Sequence, residues 1–460
     1  MKQFIISLVI TSITFLIINS CSNPTEPNNV AFNGTFEDPS FEAAIRNSLN
    51  KPIGNITLED LESLSYLYPL WGEGPITNIA GIEYCKNLEG INLSGSKIQD
   101  FSPLNSLIYL RMISIYNSNL DNLNTFTERD RIIQLDVGGC NITDISFLET
   151  FRNLKQIDLS VNDIEDITPL SKLNHLNHLI LSNNNIDDLS PLSSLKTLGT
   201  LYVGYNNISI IPDLSGCENL YTLSLPNNSI SNIDGLASNT KISNLFLQYN
   251  RLRNLDDFPQ FNNLWDLNLS HNNISDISGI INCGSIERLY LSHNQITVIS
   301  VLKKFDSLRS LGLGNNKNID INILSDMPYL QTVKIDSCNL DNIDSLLNSI
   351  YLEELDASYN NITDISSLIN MNYLRYINFN FNQIEDISVL EHLCALSNVG
   401  LGDNSIIDIK PLADNQCFTR TENNDILCWD YLRIPNNPLN QQSIEEYIPI
   451  IESRGVCVDY

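Results

Sequence analysis

One period governs most of this chain. Fifteen aliphatic residues follow one another every 22 positions without a slip: Leu88, Leu110, Ile132, Leu154, Leu176, Leu198, Leu220, Ile242, Leu264, Ile286, Leu308, Leu330, Leu352, Leu374 and Leu396. Apolar residues recur three and five positions after each, as in Leu179 and Leu181 or Leu267 and Leu269. Eight positions after comes Asn in most turns, from Asn162 and Asn184 through Asn272 and Asn294 to Asn404, with Cys140 and Cys338 in the same slot. The x-L-x-L-x segment alternates with period two, which predicts a short strand with one buried face. A repeat of this length cannot bury its apolar side alone, so each turn must stack on its neighbours.

The pattern LxxLxLxxN/CxL is the leucine-rich repeat signature. It predicts an α/β solenoid, a leucine-rich repeat horseshoe with a parallel sheet on its concave face and a cap at each end. The Asn is expected to turn inward where the chain leaves the strand, donating to carbonyls and accepting from an N–H that no strand pairs. Nine of the fifteen turns carry Asp twelve positions on, as in Asp188-Leu189-Ser190-Pro191-Leu192, where it can cap a tight convex turn. Solenoid ends expose an apolar rung and need covers. Asp38-Pro39 opens a helix with Phe41, Ile45 and Leu49 on one face, and Thr57 to Leu61 opens a second. After Leu396 the register breaks for eleven residues, and Trp429, Leu432, Ile434, Asn437 and Leu439 restore a last turn. Ser443 to Arg454 reads as a capping helix, with a final strand at Gly455 to Val458. The boundaries that follow are an address segment over 1–20, a tether over 21–36, a helical N-terminal cap over 37–87, repeats over 88–417, and the last repeat with the C-terminal cap over 418–460.

The 22-residue repeats with an Asn-x-Ile-x-Asp-Ile-x-x-Leu tail resemble those of bacterial internalin-like proteins. The opening Asp38-Pro39-Ser40-Phe41-Glu42-Ala43-Ala44-Ile45-Arg46 and the closing Tyr447 to Val456 look like the caps of that family. The likeness covers residues 37–460. It implies a non-enzymatic protein that binds its partner through the concave face and needs no cofactor.

Phe4 to Ile18 is an apolar run of fifteen residues behind Lys2, too short for a bilayer of ~30 Å but suited to a signal-peptide core. It ends at Ile18-Asn19-Ser20-Cys21, which resembles a bacterial lipoprotein lipobox. The resemblance makes Cys21 the lipidated first residue of the mature chain and predicts an envelope location, at the outer membrane or cell surface, with membrane contact only through that anchor. With 26 basic and 54 acidic residues the net charge is −28, which disfavours nucleic acid and anionic headgroups. A monomer is expected.

Among the ten cysteines, Cys85, Cys140, Cys217, Cys283 and Cys338 hold repeat positions and read as buried thiols. Cys417 and Cys428 lie in the irregular insert near Cys457, and the simplest bridge joins Cys417 to Cys428. His271 and His293 share a slot on adjacent rungs, about 5 Å apart. Tyr249 and Asn315 beside them are not strong ligands, so a contact surface is expected there and no metal. Asp136 and Asp158 are register-matched like the carboxylates of a retaining glycosidase. An open, wet sheet should give neither a raised pKa, so a polar recognition patch is expected.

The positive functional signal is aromatic. Tyr202, Tyr205, Phe246, Tyr249 and Tyr290, with His271 and His293, occupy variable positions of the central rungs that the fold does not need. Tyr202, Phe246 and Tyr290 share one slot on alternate rungs, about 10 Å apart. Such clustering predicts a hot spot for a protein ligand. A carbohydrate ligand, stacked on the same rings, is the alternative, and a purely structural envelope role is the third reading. Tyr359, Tyr376 and Phe381 form a smaller second patch near Glu354 and Asp356.

Overall fold

The computed structural model describes residues 36–68, 74–118, 120, 122–419 and 431–460. Cys21, Cys428, Trp429 and the apolar leader lie outside these residues. Among the described residues, eighteen short parallel strands hydrogen-bond into one open sheet. Through the repeats each strand pairs with the next at an offset of 22, for example Leu201 with Leu223 and Leu223 with Leu245. The offset grows to 33 between Asn398 and Tyr431, so the pairing resumes in register beyond eleven extra residues. Every second strand residue points inward, and the inward leucines and isoleucines form one continuous buried core from Phe36 to Val456.

The asparagines close the gap left where the strand ends. Asn272 donates to Leu247 O and Leu269 O, both at 3.0 Å, and accepts from Leu252 N at 3.0 Å. Asn184, Asn206, Asn250, Asn294 and Asn404 repeat this arrangement, and Asn437 takes it up beyond the insert. Each therefore ties its own rung to the one before. Cys140 and Cys338 do part of the same work, donating through Sγ to Ile115 O and Leu313 O. On the other side the chain returns through 3₁₀ turns such as Ser146–Thr150 and Thr168–Lys172. There Asp144 and Asp188 accept from Ser146 N and Ser190 N at 2.8 and 2.7 Å, so part of the acidity serves the turns.

The ends are built as the sequence predicts, with two differences. Helix Pro39–Ser48 starts at Asp38, whose carboxylate accepts from Phe41 N and also from Thr77 N and Asn78 N, pinning the cap to the first turn. Helix Leu58–Glu62 carries a capping box between Thr57 and Asp60. The C-terminal helix passes through a π turn at Ser443–Tyr447 before continuing as an α-helix at Ile448–Ser453. Pro449, which has no N–H to donate, sits at that junction. The second difference corrects the expected disulfide: Cys417 bonds Cys394, not Cys428, with Cα atoms 4.9 Å apart. The bridge ties the start of the insert to the rung beneath it, and Cys457 is also disulfide-bonded. Cys85, Cys140, Cys217, Cys283 and Cys338 are free and buried, and burial pushes the Cys85 thiol up to about 12 and those of Cys217 and Cys338 to about 11. They are packing groups rather than nucleophiles.

Replacing Asn272 with Leu strands one backbone N–H and two carbonyls in the core. The expected loss is about 1–3 kcal/mol by chemical denaturation; a variant as stable as the parent contradicts the ladder's role.

Candidate binding face

The strands present their outward residues on the concave face, in register. One row runs Tyr202, Ser224, Phe246, Asn268, Tyr290, Gly312 along six consecutive strands. Its three aromatic rings are half-buried and separated by small or polar residues. Tyr290 leans over Gly312, where a Cβ would lie 3.2 Å from its ring. His178 on the neighbouring strand meets Tyr202 edge-on at 5.8 Å.

Tyr205, Tyr249, His271 and His293 do not belong to that row. They sit three residues beyond it, on the turn by which the chain leaves the sheet, so the expected single band is two parallel rows. In this turn the backbone is left-handed, with φ of 57° at Tyr205, 60° at Tyr249, 55° at His271 and 57° at His293. That conformation crowds a Cβ against the following carbonyl and favours Gly, Asn or Asp. Gly139, Asn183, Asn227, Asn315 and Asp403 fill it in other rungs, and Val161 and Ser337 hold it once each. The central rungs instead place large rings there, and these stack. Tyr249 and His271 have centroids 3.9 Å apart and nearly parallel planes, and so do His271 and His293. Asn315 ends the column, its amide 2.6 Å from His293 Nδ1. Burial and the neighbouring His293 hold the His271 pKa below its usual value. Tyr205 and Tyr249 are about half exposed. A second stack, Tyr359 on Phe381 at 4.3 Å, occupies the same slot further on, while Tyr376 lies on the strand opposite Glu354 of the Lys334–Glu354 ion pair.

A third row escaped the sequence reading. Tyr329, Tyr351 and Tyr373, each just ahead of a strand, stack at 6.1 Å spacing on the opposite rim and stand open to solvent. Arg309 lies 5.2 Å over the first ring. Their spacing of 22 was the available signal.

The acidic pair needs correction. Asp136 and Asp158 do face each other across adjacent strands. The sheet is not uniformly wet there, because Tyr116 lies across the bare backbone of Gly138 and hydrogen-bonds Asp158 two rungs on. Burial pushes the Asp136 carboxyl up to about 6; the hydrogen bond from Gln134 opposes the rise and the Asp158 charge adds to it. The folded state thus holds this proton where the unfolded chain has lost it, and stability falls as pH rises from about 4 to about 6. Asp136→Asn removes that term. The variant is expected to match the parent near pH 4 and to exceed it by about 1–2 kcal/mol at pH 7; an equal difference at both pH values, measured by denaturation, contradicts this reading.

Among the described residues no three His, Cys, Asp or Glu side chains gather as metal ligands, and no helix is long and apolar enough to cross a membrane. The family model described as leucine-rich repeats (2 copies) matches residues 130–172, 152–197 and 352–392. No curated protein matches the chain. Among solved structures, the chain is similar to the internalin InlF of Listeria monocytogenes, at 28% identity over 75% of this chain and 96% of that one, with a TM-score of 0.61. It shares its fold with a leucine-rich repeat protein of Leptospira interrogans, at 18% identity, 88% and 97% coverage and a TM-score of 0.65. A plant peptide hormone receptor, RGFR1 in complex with RGF2, shares it at 19% identity, 83% and 70% coverage and a TM-score of 0.55. The unbroken 22-residue register, the asparagine ladder and these likenesses agree: the chain is a leucine-rich repeat protein with the horseshoe fold.

Proposed function

We propose that this protein is a lipid-anchored component of a bacterial cell envelope that binds another protein through the concave sheet and its exit rim. One observation carries the binding claim. Six large rings, Tyr205, Tyr249, His271, His293, Tyr359 and Phe381, stand in left-handed positions where Asn or Gly would relieve strain, and none of them belongs to the buried core. Strain of this kind persists where function requires it. Together with Tyr202, Phe246 and Tyr290 the rings give a rigid aromatic surface with little side-chain entropy to lose, which suits the centre of a protein interface. The hormone receptor of the same fold is in complex with a peptide hormone, and the internalin likeness favours a surface role. The anchor rests on the lipobox resemblance at Cys21. No catalytic machinery is invoked: Asp158 is engaged by Tyr116, and Asp136 is read as part of a polar recognition patch.

The test is capture from envelope extracts with residues 22–460, in parent form and with Tyr202, Phe246 and Tyr290 all changed to Ala. The parent should retain a protein that the folded variant releases, with affinity lowered at least about a hundredfold. Retention of the same protein by both forms removes the concave face from the account. Retention of polysaccharide instead would favour the carbohydrate reading of the same rings. Independently, Cys21→Ala in the full chain should abolish incorporation of labelled palmitate and move the protein from the membrane to the soluble fraction; a variant that still sediments with membranes overturns the anchor.

A further inference from the structure

A hollow of about 900 Å³ lies on the rim where the chain enters the strands, opposite the stacked column and spanning the rungs from Lys155 to Asn263. Its lining holds no carboxylate, although the chain has 54 acidic residues. It does hold Lys155 and Lys241, neither of which has a carboxylate partner among the described ion pairs; Lys241 donates instead to Asn219 Oδ1 at 2.8 Å. The two lysines are four rungs apart, about 19 Å along the sheet at ~4.8 Å per strand. Between them lies Tyr221, 52% exposed, its ring resting on bare backbone: a Cβ at Gly199 would come within 2.6 Å of Cε1. The absence of a side chain at Gly199 is what lets the ring lie down over the strand beneath it. The amides of Gln156, Asn177 and Asn219 surround this platform.

We propose that this hollow is a binding site for an acidic oligosaccharide, with a sugar ring seated on Tyr221, hydroxyls bonded by the surrounding amides, and carboxylates paired with Lys155 and Lys241. A flat aromatic ring among amides matches a sugar's apolar face and hydroxyl edge. Two lysines set apart in an acidic molecule match separated charges on an extended ligand. An acidic peptide would use the lysines but gain little from a ring lying against the sheet. The site adjoins the concave aromatic row at His178, which lines the hollow and meets Tyr202, but its ring and its charges are its own.

The test is calorimetric titration of the full chain with hyaluronan hexasaccharide, oligogalacturonate and a sialylated oligosaccharide. The fully methyl-esterified galacturonate and poly-glutamate serve as comparisons. At least one acidic sugar should bind, weaken as salt shortens the screening length from ~8 Å toward ~3 Å, and lose at least about tenfold on esterification. Tyr221→Ala and Lys155→Ala/Lys241→Ala should each lose at least about tenfold, while Tyr460→Ala, at an exposed ring far from the hollow, leaves binding unchanged. Gly199→Ala, which keeps the tyrosine but lifts its ring, should lose affinity with the thermal midpoint unchanged. Absence of binding by all three acidic sugars overturns the proposal. So does poly-glutamate binding that is as tight as the sugar and indifferent to Tyr221.

Discussion

The whole solenoid depends on what happens one residue past each strand, where the backbone turns out of the sheet and leaves polar groups facing an apolar core. A buried unpaired N–H or carbonyl costs about 1–3 kcal/mol, and the problem recurs at every rung. The asparagine side chain solves it by bonding to its own rung and the one before, as Asn272 does with Leu269 O, Leu247 O and Leu252 N. Because every amide bridges neighbours, the ladder also fixes the register. A rung cannot slip without breaking bonds on both sides, which is why the strand pairing and the ladder resume in register beyond an insertion of eleven residues.

A frame built in this way leaves two surfaces free. The outward strand residues and the residues on the exit turn contribute nothing to the ladder or the core, so their chemistry is available for a partner. The exit turn is the more telling of the two, because its left-handed backbone discriminates among residues. Asn183, Asn227 and Asn315 accept it readily, whereas Tyr205, Tyr249, His271 and His293 adopt it at a cost of about 1–2 kcal/mol each. Stacking at 3.9 Å offsets some of that cost along the Tyr249–His271–His293 column. Tyr205, flanked by Asn183 and Asn227, has no such ring beside it.

Sequence periodicity was enough to read the repeat, the ladder, the convex aspartate caps and both terminal helices, because each depends on residue type at a fixed spacing. It also placed the aromatic residues on the correct rungs. What it did not reveal depends on how side chains lie rather than where they occur. The left-handed φ at Tyr249 divides the aromatic band into two rows. The reach of Tyr116 across Gly138 helps to make a partly dry corner for Asp136 on a sheet expected to be wet. The Cys394–Cys417 bridge was hidden for a different reason: its separation of 23 is one rung plus one residue, so one partner lies in a regular repeat and outside the irregular insert. Glycines at Gly138 and Gly199 carry similar information, since each bares backbone for a ring from a neighbouring rung, Tyr116 before the one and Tyr221 after the other, and neither is marked by the repeat pattern.

The central claim is that the exit-turn aromatics are kept for binding at the expense of stability. Tyr205→Asn tests it most directly, because this ring lacks a stacking neighbour and Asn suits the turn. Denaturation and partner capture should be measured on the same preparation. The account predicts a variant more stable than the parent by up to about 1 kcal/mol that captures its protein partner less well. A variant that is less stable and captures its partner unchanged would show that the ring serves the fold, and would contradict the account.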